Sequence, residues 1–184
     1  MLDSLCDEKD QKKLEIAEEE VRRLIESGDP DIPREGISLY SVRYLFPILY
    51  GMTEWHKLFN PRQLLTLVKL VKLIREAGKL IEQKKIEEGF TREEAFRYAE
   101  AVVTYLAMAL IRFADYNNIA TLVDPANPWG MKIAHALSMR GIAMQWNWGD
   151  TNPLADSTKA SKCLQDTSSL KRALGNSMKD CLIS

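Results

Sequence analysis

Between Asn60 and Asn117 the sequence carries two long amphipathic stretches, each with its own start signal, and this constrains the fold more than any other feature. Asn60 is a good helix cap, and Pro61 sits at the first helical position, where its missing N–H costs nothing. From there to about Glu88, Leu64, Leu67, Val68, Val71, Ile74 and Ile81 recur on one face. Thr66, Lys69, Lys72, Glu76, Lys79 and Gln83 fall opposite, as a period of ~3.6 requires. Gly89 stops this helix, and Thr91-Arg92-Glu93-Glu94 reads as a capping box that starts the next. The second helix runs to about Asn117 with a broad apolar face of Phe96, Ala99, Val102, Val103, Leu106, Leu110 and Phe113. It is the expected core helix. The predicted fold class is therefore mainly α, with an antiparallel helical hairpin core, one or two short strands and a flexible C-terminal tail.

The flanks read less sharply. Residues 8–27 form a charged helix with a narrow stripe of Leu14, Val21, Leu24 and Ile25, ended by Ser27-Gly28-Asp29-Pro30. Residues 29–38 are an extended loop, and Ile37 to Tyr50 fits either a short hairpin or a helix broken at Pro47. Residues 118–130, with Asp124-Pro125 and Asn127-Pro128, make a loop with a short strand at Ile119–Val123. Met131 to Arg140 looks like a short helix ended by Gly141, and Ile142 to Trp148 alternates as a strand does. This divides the chain into a charged N-terminal helix (1–28), a helical domain (29–154) and a divergent Ser/Thr-rich tail (155–184).

Composition narrows the function classes. With 46% hydrophobic and 28% charged residues the 184-residue chain can bury an ordinary core, which excludes wholesale disorder. The longest charge-free run in the apolar middle, Ala101 to Ile111, has 11 residues, whereas a membrane span needs ~20. No membrane partner and no secretory leader are expected. Three widely spaced cysteines, Cys6, Cys163 and Cys181, and two histidines, His56 and His135, do not make a zinc site and fit free thiols in a reducing, cytoplasmic setting.

The net charge, 25 − 26 = −1, argues against a uniformly basic nucleic-acid binder but hides an asymmetry. Residues 1–35 hold 12 acidic and 6 basic side chains, whereas residues 57–85 hold 8 Lys and Arg against Glu76 and Glu82. The two segments can neutralise each other within the fold, or each can face solvent. Lys69, Lys72, Arg75 and Lys79 follow at three- and four-residue steps, a ridge that can track phosphates or simply be a solvated face. With Arg62 they are the candidate nucleic-acid-binding residues.

Recognisable catalytic chemistry is missing. There is no Gly-x-Gly-x-x-Gly turn, no phosphate loop and no nucleophile elbow. The carboxylate pairs Glu87-Glu88 and Glu93-Glu94 sit at helix ends, where they complement the dipole. In Asp115-Tyr116-Asn117-Asn118 the polar side chains either satisfy the helix terminus, or Asp115 and Asn117 hold a neighbouring loop or substrate. Trp129, Trp146 and Trp148 are packing residues or a platform for a flipped base.

Several segments in order carry a resemblance: Tyr50-Gly51-Met52-Thr53-Glu54-Trp55, Leu58-Phe59-Asn60-Pro61-Arg62-Gln63-Leu64-Leu65, Val103 to Ala109, Arg112-Phe113-Ala114-Asp115-Tyr116-Asn117, and Met144 to Pro153. From Asp29 to Leu154 the chain resembles the helical middle region of adenine-specific DNA methylases that contain a zinc ribbon. The motif positions are Pro61, Arg62, Gln63, Arg112, Asp115, Tyr116, Asn117, Trp146, Asn152 and Pro153. The family's catalytic Asp/Asn-Pro-Pro-Tyr/Phe motif has no counterpart, since Asn152-Pro153-Leu154-Ala155 offers one proline and no aromatic. The zinc-ribbon cysteines and an S-adenosylmethionine loop are absent as well.

The resemblance implies part of a DNA-methylase-like protein, a helical scaffold or DNA-contacting module inactive alone and lacking the catalytic half. It has no catalytic residues, metal or cofactor of its own. S-adenosylmethionine would enter only when a catalytic methylase chain completes the site. The alternative is a non-enzymatic helical interaction module, homodimeric through the apolar face of 64–81.

Overall fold

The structure, a computed structural model, describes residues 8–124, 132–136, 142 and 148–149. It is mainly helical. Three α-helices, α1 (Glu8–Glu26), α2 (Pro61–Glu87) and α3 (Arg92–Tyr116), are accompanied by three short 3-10 helices and two three-residue strands, β1 (Leu122–Asp124) and β2 (Lys132–Ala134). The 155–184 tail, the 125–130 loop with Trp129, and Trp146, Asn152 and Pro153 lie outside the described residues.

The helices begin and end where local chemistry dictates. At the start of α2 the Gln63 N–H donates to Asn60 Oδ1 at 2.9 Å while Gln63 Oε1 accepts from the Asn60 N–H at 3.0 Å, a reciprocal capping box. Thr91 and Glu94 repeat the device at α3. Both α1 and α2 finish in Schellman motifs, which place a residue in the left-handed region so that two successive N–H groups can reach back to orphan carbonyls. Gly28 (φ +70°) donates to Ile25 O and Asp29 to Leu24 O; Gly89 (φ +97°) donates to Ile86 O and Phe90 to Lys85 O.

Packing follows chain order: α1 lies on α2, and α2 on α3. Val21 of α1 and Ile32 of the following loop close over Leu64 and Val68 of α2, with Leu24, Ile25, Phe59 and Leu65 around them. A second cluster gathers Ile37, Ile48, Leu58 and Ile119, and Phe59 touches both. The 64–68 part of the α2 face is thus covered inside the chain, which removes Leu64, Leu67 and Val68 from any contact with a second copy. Further along, Val71, Ile74 and Ile81 are only half-buried, because α2, at about 40 Å, outruns the 19-residue α1.

Four sequence expectations change. Ile37 to Tyr50 is neither hairpin nor broken α-helix but two 3-10 helices, Leu39–Arg43 and Phe46–Tyr50. Pro47 supplies no N–H, and Gly51 at φ +82° closes the second turn before a longer helix can form. The strand expected at Ile119–Val123 starts later, because Thr121 folds back on the Asn118 carbonyl and makes 118–121 a turn. Lys132–Ala134, read as helical, is extended and pairs antiparallel with β1 in the register Leu122↔Ala134, Val123↔Ile133, Asp124↔Lys132. Ladder hydrogen bonds to the preceding strand outweigh the helical pattern of so short a stretch.

Finally, α3 is not buried all round. Ala95, Ala99, Leu106 and Phe113 face inward, while Phe96 is 54% and Tyr105 74% exposed, with Met108 and Ile111 also outside. Among the described residues α3 has a packed helical neighbour on one side only, so a sequence apolar all round leaves half its surface uncovered.

Candidate nucleic-acid interface

The predicted cation row lies where periodicity put it. Arg62, Lys69, Lys72, Arg75 and Lys79 are all exposed on α2, and Arg62 to Lys79 spans about 26 Å of helix axis. Such a row matches the scale of several phosphates along a duplex, one negative charge per ~1.7 Å of axis with both strands counted.

The row is not uncovered along its whole length. The Schellman motif at the end of α1 throws Asp29 out beside α2, where its Oδ2 accepts from Lys72 Nζ at 2.6 Å. The other oxygen, Oδ1, accepts from the Asp31 backbone N–H at 2.9 Å, an Asx-turn that fixes the two aspartates relative to each other. Asp31 in turn receives the Arg75 guanidinium. The Asp31 side chain is only 3% exposed, whereas Arg75 keeps most of its surface in water. Of the two open readings of the charge asymmetry, internal neutralisation therefore holds at Lys72 and Arg75.

The Lys72 ammonium, and after it the Asp31 N–H, hold the Asp29 carboxyl below its ordinary value of 3.8. A depressed carboxyl contributes stability that is fully present above 3.8 and is lost as pH falls through the folded-state value. Carbon-detected NMR titration is expected to place the Asp29 midpoint below 3.8, and Lys72→Met to raise it. A midpoint at or above the ordinary value in the unsubstituted chain contradicts the pairing.

Of the expected motif positions, Pro61, Arg62 and Gln63 lie at the start of α2, and Arg112, Asp115, Tyr116 and Asn117 at the end of α3. Gln63, buried at the start of α2, directs its amide nitrogen to Gly149 O at 3.5 Å. Thr121 accepts from the Gly149 N–H at 3.1 Å, and its hydroxyl is 2.9 Å from Asn118 O. Asn117 donates from its amide to Phe113 O at 2.9 Å, and Asn118 to Ala114 O at 2.8 Å. These two asparagines satisfy carbonyls the last turn of α3 leaves unpaired. Pro61 starts α2 as a helix N1 residue.

Asp115, 8% exposed, lies with Oδ2 2.8 Å from Nδ1 of His135, an ion pair whenever the imidazole is protonated. The Tyr116 ring stands 5.3 Å from His135 and 5.1 Å from the Arg112 guanidinium. Gln63 and Thr121, both bonded to Gly149, thus tie the start of α2 and the turn after α3 to a distant segment, and Asp115 with Tyr116 ties in the residue after β2. Trp148 is exposed; nothing in the structure bears on its expected role as a base platform.

Sequence reasoning missed His135 as a partner of Asp115, Gly149 as a partner of Gln63 and Thr121, and Thr121 altogether. Each contact joins segments far apart in the chain, so no local signal marks it. Asp29 and Asp31 were legible as charges but not as the two that touch α2. Among the described residues no group of three His, Cys, Asp or Glu could hold a metal, and no helix is long and apolar enough to cross a membrane. Comparison with protein-family models, curated proteins and solved structures finds no match to this chain.

Proposed function

We propose that the chain is the helical scaffold and DNA-contacting module of a DNA-methylase-like protein, built on an antiparallel α2–α3 hairpin and dependent on a separate catalytic chain for methyl transfer. The observation that carries the reading is the exposed cation row of α2, Arg62 to Lys79, in which Lys69 and Lys79 lie outside the two ion pairs to the aspartate turn. The ordered segments from Tyr50 to Pro153 that resemble such methylases support it from the sequence side. S-adenosylmethionine would be held by the catalytic chain, since no cofactor motif is present in this one.

Fluorescence anisotropy with a labelled duplex tests it. Binding is expected to be weak, with Kd roughly 10⁻⁴–10⁻⁶ M, insensitive to base sequence and weakened as salt rises from about 50 mM to about 200 mM. Arg62→Glu with Lys69→Glu and Lys79→Glu abolishes it; an unchanged titration sinks the proposal. Lys72 and Arg75 are deliberately spared. Reversing Arg75 would strand the buried Asp31 carboxylate and confuse unfolding with lost binding.

A specific observation favours a second reading, a protein-interaction module. Leu39, Tyr40, Phe46, Leu49 and Tyr50 on the two 3-10 helices, and Tyr44 between them, are all exposed. Concentration-dependent sedimentation that persists at high salt, without DNA binding, would select that reading.

A further inference from the structure

We propose that the Asp29–Asp31 turn is an electrostatic latch on the cation row of α2, a built-in phosphate mimic that a nucleic-acid backbone has to displace from Lys72 and Arg75. The inference rests on the nucleic-acid reading of α2 and adds its regulation. Carboxylate and phosphate oxygens compete for the same donors, and a guanidinium fork suits both. The turn is well formed for the task. It is anchored behind by the Schellman motif at Gly28 and Asp29, held internally by the Asp29 Oδ1 to Asp31 N–H bond, and pinned below by Ile32 in the α1–α2 core. The aspartates therefore stay in place while the long cationic side chains, both well exposed, are free to swing.

The two halves of the latch differ. Asp29 retains some contact with water, so Lys72 can leave it at little cost, as from any surface ion pair. Asp31 is nearly sealed, and withdrawing Arg75 would leave a carboxylate without compensation in a desolvated place. Lys72 is thus the first cation surrendered to phosphate, and Arg75 follows only at the cost of leaving Asp31 without its partner. Removal of the latch adds Lys72 and Arg75 to the cations of α2 that phosphate can reach.

Anisotropy titrations of full-length Asp29→Asn/Asp31→Asn on labelled duplex DNA test this, because asparagine at 29 keeps the Asx-turn acceptor while both substitutions remove a carboxylate charge and one acceptor oxygen. The double variant is expected to bind roughly 3- to 10-fold tighter, with the log Kobs against log salt slope steeper by up to ~2, about 0.9 for each phosphate gained. Asp31→Asn alone is expected to give the larger share. Lys72→Ala/Arg75→Ala, introduced in the Asn background where no carboxylate is left stranded, removes the gain.

Glu15→Gln/Glu18→Gln, exposed on α1, changes net charge equally and controls for the overall field. An equal gain there, or no gain in the aspartate variant, overturns the latch; if the Arg62/Lys69/Lys79 reversal still abolishes binding, the DNA reading stands without it. Absence of binding in every form overturns both. Thermal melts by circular dichroism confirm that each variant is folded, and Asp29→Asn alone provides the readout should the double variant melt early.

Discussion

Leu64→Ala is expected to destabilise the chain by about 2–5 kcal/mol, the largest effect of any single truncation named here. Leu64 is 3% exposed and lies between Val21 of α1, Ile32 of the aspartate turn and Val68 one helical turn on. Removing its branched end sacrifices ~1.5–3 kcal/mol of buried apolar transfer and adds the cost of a cavity that three separate segments cannot collapse to fill. At about 2–4 °C per kcal/mol for a chain of this size, the melting midpoint should fall by roughly 4–20 °C. Urea unfolding should show the same loss with an unchanged slope. Met108→Ala, on the uncovered side of α3, provides the contrast and should stay within about 0.5 kcal/mol. Equal losses at the two sites would mean that α1 does not cover α2. Because Ile32 belongs to the same cluster, Leu64→Ala should also loosen the turn that carries Asp29 and Asp31.

Gly78→Leu is expected to destabilise by about 1–3 kcal/mol through overpacking. A β-carbon added at Gly78 would stand 2.8 Å from the γ2 methyl of Val103, so the glycine is where α2 and α3 approach most tightly among the positions that lack a side chain. Valine has essentially one rotamer in a helix and cannot turn aside. The intrinsic preference runs the other way, since alanine in a helix interior is better than glycine by ~1 kcal/mol. Gly78→Ala therefore sets a clash against a propensity gain. Joined with Val103→Ala it should recover most of what it loses in the native background, visible as coupling in a thermal-melt cycle. A Gly78→Leu chain as stable as the original would show that the two helices are further apart than described.

Much of the helical layer was readable from the chain, and for identifiable reasons. Asn60 with Gln63, and Thr91 with Glu94, satisfy donors within four residues, so their role is complete locally. The terminations at Gly28 and Gly89 are local too, because a left-handed residue is needed at each. The candidate DNA-binding residues were placed on α2 by periodicity alone, and exposure followed from their lying away from the apolar stripe. What periodicity could not provide was a partner. Nothing in the spacing of Lys72 or Arg75 says that Asp29 and Asp31 meet them, since that contact depends on α1 folding back over α2. Phe96 misled for the same reason: its place on the apolar face was right, but no neighbour covers it.

The polar cluster at the end of α3 shows the division most plainly. The Asp115-Tyr116-Asn117-Asn118 run announced a helix end, and the asparagines do serve it. That Asp115 would lie against His135, and Thr121 against Gly149, required β2 and the 149 segment to be brought beside α3. The amino-acid order by itself thus determined which residues form helices, where those helices start and stop, and which faces are apolar or charged, because hydrogen-bond capping and 3.6-residue periodicity act over a few residues. The tertiary structure alone decided which apolar face is covered, which cations are neutralised and which polar side chains meet, because burial and ion pairing depend on distances between segments that loop closure brings together and local chemistry does not encode.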